Sequence, residues 1–124
     1  MVVKSTVTKI INKTNFNFIL YSYYPVNAAF TCNYRPSNLI LPGRMGWWES
    51  ELSYGPDYYR VNASYVIDVN NYDPEQDDID TYFSVIYEET VEPPLHCYLG
   101  GYNAGKFYYV LSDPPKYKLT IFQK

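Results

Sequence analysis

Between residues 59 and 69 an apolar set and a mostly polar set take turns: Tyr59, Val61, Ala63, Tyr65, Ile67 and Val69 alternate with Arg60, Asn62, Ser64, Val66 and Asp68. A period of two puts each set on its own face of an extended strand, and a helix cannot satisfy it. The alternation returns over residues 79–88, where Ile79, Thr81, Phe83, Val85 and Tyr87 oppose Asp80, Tyr82, Ser84, Ile86 and Glu88. In residues 116–122 Tyr117, Leu119 and Ile121 are expected to face inward and Lys116, Lys118 and Thr120 outward. Residues 16–24 carry Phe16, Phe18 and Leu20 on one face and Ile19, Tyr21 and Tyr23 on the other, which predicts a central or covered strand. A β-branched stretch predicts a strand over 2–11, and shorter runs predict strands at 28–34, 39–41, 95–99 and 106–111.

Turn chemistry separates these runs. Asn12-Lys13-Thr14-Asn15, Pro25-Val26-Asn27, Pro42-Gly43, Tyr54-Gly55-Pro56-Asp57, the polar loop 70–78 and the loop 100–105 all read as breaks. No window shows a sustained 3.6-residue apolar period. Eight to ten short strands in a single domain spanning 1–124 predict an all-β fold, a two-layer antiparallel β-sandwich in preference to a barrel.

The stretch 42–54 holds both tryptophans side by side, Trp47 and Trp48. Neighbours on a strand point to opposite faces, so both indoles cannot enter one core, and one is expected at a surface, rim or interface. Composition strengthens the point. Aromatics make up 19% of the chain, with 16 Tyr against 6 Phe and 2 Trp, more phenols than one small core accommodates. Turn-borne rings, Tyr23, Tyr24, Tyr34, Trp47 or Trp48, Tyr54, Tyr58, Tyr59 and Tyr102, are candidates for stacking on sugars or entering a lipid headgroup layer.

A formal net charge of -3 and a pI near 5.0 argue against nucleic acid as a partner. The first twenty residues intersperse Lys4, Lys9 and Lys13 with Thr and Asn and lack the apolar run of a signal peptide. The expectation is cytoplasmic synthesis, with release by lysis or from a particle or crystal if the protein acts outside the cell. Cys32 and Cys97 permit one disulfide and demand none, and two buried thiols are expected.

Catalytic chemistry finds little support. His96 and Cys97 are strand neighbours whose side chains point apart, and one His with two Cys lacks the paired spacing of zinc sites. Glu49, Glu51, Asp57 and Glu88 offer no preferred carboxylate pair, and Gly100-Gly101 opens no helix. The acidic run Asp73, Glu75, Asp77, Asp78 and Asp80 could supply oxygens to calcium, yet it lacks the turn glycine and closing Glu of an EF-hand and reads as a solvated loop. The expected protein is not an enzyme and uses no cofactor.

The order of features adds a family resemblance. A strand ending Ile10-Ile11-Asn12-Lys13-Thr14, an Ile40-Leu41-Pro42-Gly43 turn into an aromatic strand, a Tyr-rich middle strand and a terminal Leu119-Thr120-Ile121 resemble the aegerolysin family, which includes fungal lipid-binding proteins and small insecticidal crystal-protein components of bacilli. The resemblance implies a non-enzymatic lipid-binding β-sandwich of the toxin-component type, acting on membranes with a larger pore-forming partner. It places Trp47, Trp48 and nearby tyrosines at the membrane. Pro94-Leu95-His96-Cys97-Tyr98 stands where the fungal members have a Trp- and Cys-rich segment, so no lipid-binding residue is carried over individually. The expected contact set is Trp47, Trp48, Tyr54, Tyr58, Tyr59 and Tyr102, serving lipid or, alternatively, sugar as in a small lectin. A third reading is a self-assembling protein whose tyrosines make contacts between molecules.

Overall fold

The computed structural model describes residues 5–26, 28–30, 35–52, 60–76, 79–88, 93–112 and 117–124. Along them run ten strands: β1 (Ser5–Lys13), β2 (Phe18–Val26), β3 (Ala28–Phe30), β4 (Leu39–Ile40), β5 (Met45–Leu52), β6 (Arg60–Ile67), β7 (Thr81–Glu88), β8 (Leu95–Gly101), β9 (Phe107–Ser112) and β10 (Tyr117–Gln123). A short 3-10 turn, Ala104–Lys106, joins β8 to β9. The strands form two five-stranded sheets, ordered β3-β5-β1-β10-β9 and β4-β2-β6-β7-β8. The fold is the all-β sandwich that the alternation predicts.

One ladder departs from the antiparallel expectation. β1 and β10 run parallel, with Ile10 opposite Leu119 and Asn12 opposite Ile121. A parallel pair needs a long crossover, and here nearly the whole chain supplies it. The first and last strands thereby lie side by side at the centre of their sheet.

The core fills from the inward halves of the alternating strands. Val61, Ala63, Tyr65 and Ile67 of β6 meet Phe83, Val85 and Tyr87 of β7, while Ile10, Trp48, Leu119 and Ile121 come from the other sheet. Aromatic geometry orders this layer: Phe18 packs edge-on against Phe83 at 4.9 Å, and Tyr65 stacks on Phe83 at 5.4 Å. The buried Tyr65 hydroxyl donates to the Ser37 carbonyl at 2.7 Å, and burial raises its phenol pKa above the ordinary range.

Three local expectations change. Asn12 and Lys13 belong to β1, and the turn comes after them. Pro25 lies inside β2, because β4 covers only Phe18 and Ile19 and among the described residues β6 alone pairs with β2 at Pro25, an edge position where proline is tolerated. A bulge between Leu20 and Ser22 inserts Tyr21 and reverses the faces of the residues beyond it, so Tyr23 takes the register of buried Ala63 instead of sharing a face with Ile19.

The two layers are tied together at Asn12, which is fully buried. Its side-chain amide donates to the carbonyls of Phe16 at 2.7 Å and Ile40 at 3.0 Å. Its carbonyl oxygen accepts the Thr14 amide at 3.0 Å and the Thr14 hydroxyl at 2.7 Å, so the four-bond capacity of the group is used. Its main chain meets the Pro42-Gly43 turn, donating to the Arg44 carbonyl and accepting from the Gly43 amide. Ile40 belongs to the opposite sheet and presses on Gly46 of β5, where a Cβ would fall 2.5 Å from its side chain. Asn12→Asp is expected to lower stability by about 3–5 kcal/mol, because a carboxylate oxygen would face the Phe16 and Ile40 carbonyls in place of a donor. Urea unfolding monitored by circular dichroism measures it, and a loss below about 1 kcal/mol would remove the residue's structural role.

Candidate binding surfaces

Alternation along β5 separates the two indoles. Trp48 is 0% exposed and Trp47 is 38% exposed, one ring in the core and one on the outer face of the sheet. This corrects the inclusion of Trp48 in the contact set, since a sealed ring cannot reach lipid or sugar while the sandwich is closed. The Trp48 indole nitrogen and the hydroxyls of Thr8 and Ser50 lie buried without a hydrogen-bond partner among the described residues.

The surface around Trp47 is assembled by register. In one row Trp47 of β5, Lys9 of β1, Lys118 of β10 and Ser112 of β9 stand side by side. The next row is Met45, Ile11, Thr120 and Val110, and the third is Lys13, Phe122 and Tyr108. Met45 is 51% and Val110 49% exposed, and the Tyr108 ring stacks on Phe122 at 4.9 Å. Glu49 is the next residue of β5 on this face, opposite Val7 and diagonal to Lys9, so a carboxylate borders the end away from Met45, while Lys13 stands beside Phe122. Only pairing across β1 and β10 creates this face; no segment announces it alone.

The other sheet carries two concavities. On its outer face Ser22, Ser64 and Ser84 form a small-residue floor, with the Ser64 and Ser84 hydroxyls 2.8 Å apart. Tyr21, Tyr82 and Ile79 help wall a cavity of about 230 Å³ there. The Tyr82 phenol pKa is raised, chiefly by its hydrogen bond with Tyr98 and then by desolvation. At the end of the same sheet a second cavity of about 340 Å³ is lined by Asn70, Asn71, Asp73, Gln76, Asp80 and Tyr102, with Ile79 bordering both. Tyr102 is 95% exposed.

Of the expected contact residues that are described, the exposed Trp47 and Tyr102 lie at different sheets. Trp47 stands on the outer face of one sheet, whereas Tyr102 comes directly after β8, the edge strand of the other. Tyr54, Tyr58 and Tyr59 lie outside the described residues, as do Tyr34 and Cys32. Tyr23 and Tyr24 are exposed on β2, where Tyr24 accepts a hydrogen bond from Asn62 at 2.8 Å and lies 6.0 Å from the Arg60 guanidinium. Sequence reading missed the Lys9-Lys118 row, the serine floor and the amides around Tyr102.

Cys97 is a free, half-buried thiol on β8 whose pKa burial pushes up to about 12, the opposite of nucleophilic activation. His96 opposes Ile86 and Cys97 opposes Val85, so the two side chains leave the strand on different faces. Among the described residues no three His, Cys, Asp or Glu side chains gather in a way that could hold a metal ion, and no helix is long and apolar enough to cross a membrane. Asp77 and Asp78 of the acidic run lie outside the described residues. No protein-family model matches this chain, and no curated protein matches it.

The indole partition has a direct consequence. Trp48→Ala is expected to cost about 3–5 kcal/mol through the cavity it leaves, whereas Trp47→Ala, which removes a ring already 38% exposed and opens no cavity, is expected to cost at most about half as much. Denaturant midpoints of the two variants separate these outcomes, and equal losses would contradict the partition. Alkaline behaviour follows from Cys97. Below pH ~8.5 the thiol is protonated in both the folded and unfolded states and its contribution is complete. As pH rises toward the folded value of about 12, only the unfolded chain releases the proton, so stability falls. Cys97→Ala is expected to delay the onset of that decline toward pH ~10, where tyrosines ionise. Thermal melts across this range test it, and superimposable profiles would exclude the thiol as the cause.

Proposed function

We propose that this protein is a non-enzymatic lipid-binding β-sandwich that docks on membranes through the outer face of β5, β1, β10 and β9. The observation that carries the reading is the juxtaposition of exposed Trp47, Met45, Val110 and the Tyr108-Phe122 stack with Lys9, Lys13 and Lys118 on one sheet face. Aromatic rings suit the headgroup layer because one edge is apolar and the other polar, and short aliphatic side chains beside them gain by leaving water. Lysines at the same level attract anionic headgroups, each worth about 1 kcal/mol near such a surface. Their clustering there is informative in a chain whose formal net charge is -3. A sheet face is also rigid, so little conformational entropy is lost on docking.

In the aegerolysin-like reading, such a face is the lipid-recognising part of a toxin component, and a larger pore-forming protein completes the lesion. Storage in a particle or crystal is compatible with it, since an exposed aromatic face also serves contacts between copies.

Co-sedimentation with vesicles of phosphatidylcholine, with and without phosphatidylserine, tests the proposal. Binding to the serine-lipid vesicles is expected, weakened about tenfold or more by Trp47→Ala or by Lys9→Glu with Lys118→Glu, and relieved by salt. Tyr102→Ala is expected to leave it unchanged. No binding to either vesicle, or binding indifferent to Trp47 and both lysines, would refute the assignment of this face.

A further inference from the structure

The cavity at the end of the second sheet has a different chemistry from the lysine-bearing face. Tyr102 stands at its mouth with its ring in solvent, and three features hold that turn in place. Gly101 takes φ 101°, and a Cβ there would fall 2.0 Å from the Asp80 carbonyl oxygen, so the chain passes close over the start of β7. The Tyr102 amide donates to that same carbonyl at 2.9 Å. The neighbouring Asn103 donates its side-chain amide to the Asp80 carboxylate and its main-chain amide to the Thr81 hydroxyl at 3.2 Å. A large exposed aromatic side chain carried on so braced a turn buries nothing of its own.

Asp80 joins the walls of the cavity. Its carboxylate also receives the Thr81 hydroxyl at 2.6 Å and the side chain of Asn70, and these bonds, led by Thr81, keep its pKa below the ordinary value. It is thereby committed to linking the β8 turn to the loop before β7. The groups left to address a ligand are others. Asn71 holds φ 54°, a left-handed conformation that asparagine adopts more readily than most residues, and turns the loop around the cavity. Among the described residues nothing engages the side-chain amides of Asn71 and Gln76. Asp73 accepts the Glu75 amide with one carboxylate oxygen, and its other oxygen has no partner among the described residues.

We propose that this cavity binds one ring of a neutral saccharide, with Tyr102 stacked on the C–H face and Asn71, Gln76 and Asp73 paired with ring hydroxyls. Each hydroxyl both donates and accepts, and a planar amide or carboxylate offers two atoms at the spacing of adjacent hydroxyls. The exposed ring supplies the apolar complement that selects a saccharide over a simple polyol. A volume of about 340 Å³ suits a single ring with its substituents better than an extended chain. Phosphate and other anions are disfavoured by Asp73 and Asp80, and the site is separate from the lipid-docking face.

A glycan array of neutral hexose- and N-acetylhexosamine-terminated oligosaccharides tests it, followed by titration of the strongest hit in solution. The same sugar borne on a glycolipid in phosphatidylcholine vesicles separates free from membrane-held sources. Binding to at least one glycan is expected, reduced tenfold or more in Tyr102→Ala and in Asn71→Gly, which keeps the left-handed backbone while removing the amide. Trp47→Ala is expected to bind as the parent does. Recognition only of the glycolipid vesicles, lost in Tyr102→Ala, would support the same site with a lipid-borne sugar as its source. Absence of any hit on array and vesicles, hits unaffected by both cavity variants, or hits abolished by EDTA would overturn direct saccharide recognition here. Thermal melts of both variants, expected to match the parent's, separate a loss at the site from a loss of the sandwich. Because the vesicle assay of Trp47 reads a different surface, either proposal can fail without the other.

Discussion

Closing a sandwich requires that polar main-chain groups near its ends be paired while the two layers come into contact. In this protein one side chain meets much of that requirement at one end. Asn12 sits in the centre of a sheet, is fully enclosed, and holds the carbonyls of Phe16 and Ile40 with one end of its amide and Thr14 with the other. A buried amide left partly unpaired is costly, so the group is stable only when all three segments arrive together. The consequence is specificity: the turn after β1, the short strand β4 and the Pro42-Gly43 turn are fixed relative to one another. Gly46 completes the arrangement by giving Ile40 room against β5.

From that tie the surfaces follow. With β4 and the Pro42-Gly43 turn held, β5 enters its sheet with Met45 opposite Ile11 and Trp47 opposite Lys9. This register sends Trp48 inward and Trp47 outward. The parallel pairing of β1 with β10 then brings Lys118 beside Lys9 and Phe122 beside Lys13. A single-residue slip in either ladder would invert these faces, because side chains alternate with a period of two. The basic and aromatic face is thus a product of register, and the register depends on polar groups buried at one end of the sandwich.

The second sheet divides its labour differently. Its inner face is nearly continuous apolar packing, Val61 to Ile67 against Phe83 to Tyr87, while its outer face and loop end carry hydroxyls, amides and phenols. Cavities appear where side chains shorten, over Ser22, Ser64 and Ser84, and where the loops before β7 and after β8 are joined through Asp80. The two proposed activities therefore belong to different chemistries, basic charge with apolar contact on one sheet and amides, a carboxylate and an aromatic platform for a neutral ligand beside the other.

By itself the sequence determined the secondary structure class, the inward halves of β6, β7 and β10, and the separation of Trp47 from Trp48, because all of these rest on a local period of two. Expectations that extended this locality failed at β2, where a bulge after Leu20 reversed the faces, and at Asn12 and Lys13, whose turn-forming character was overridden by strand pairing with β10. Strand order, the parallel ladder and the fate of each indole were decided only in three dimensions, since alternation says that neighbours oppose but not which one meets the core. The same holds for the candidate sites. Trp47 and Tyr102 are conspicuous as single residues, but Lys9 with Lys118, or Asn71 with Tyr102, become neighbours only through contacts between segments distant along the chain. Such proximity is a property of packing, which no local pattern encodes.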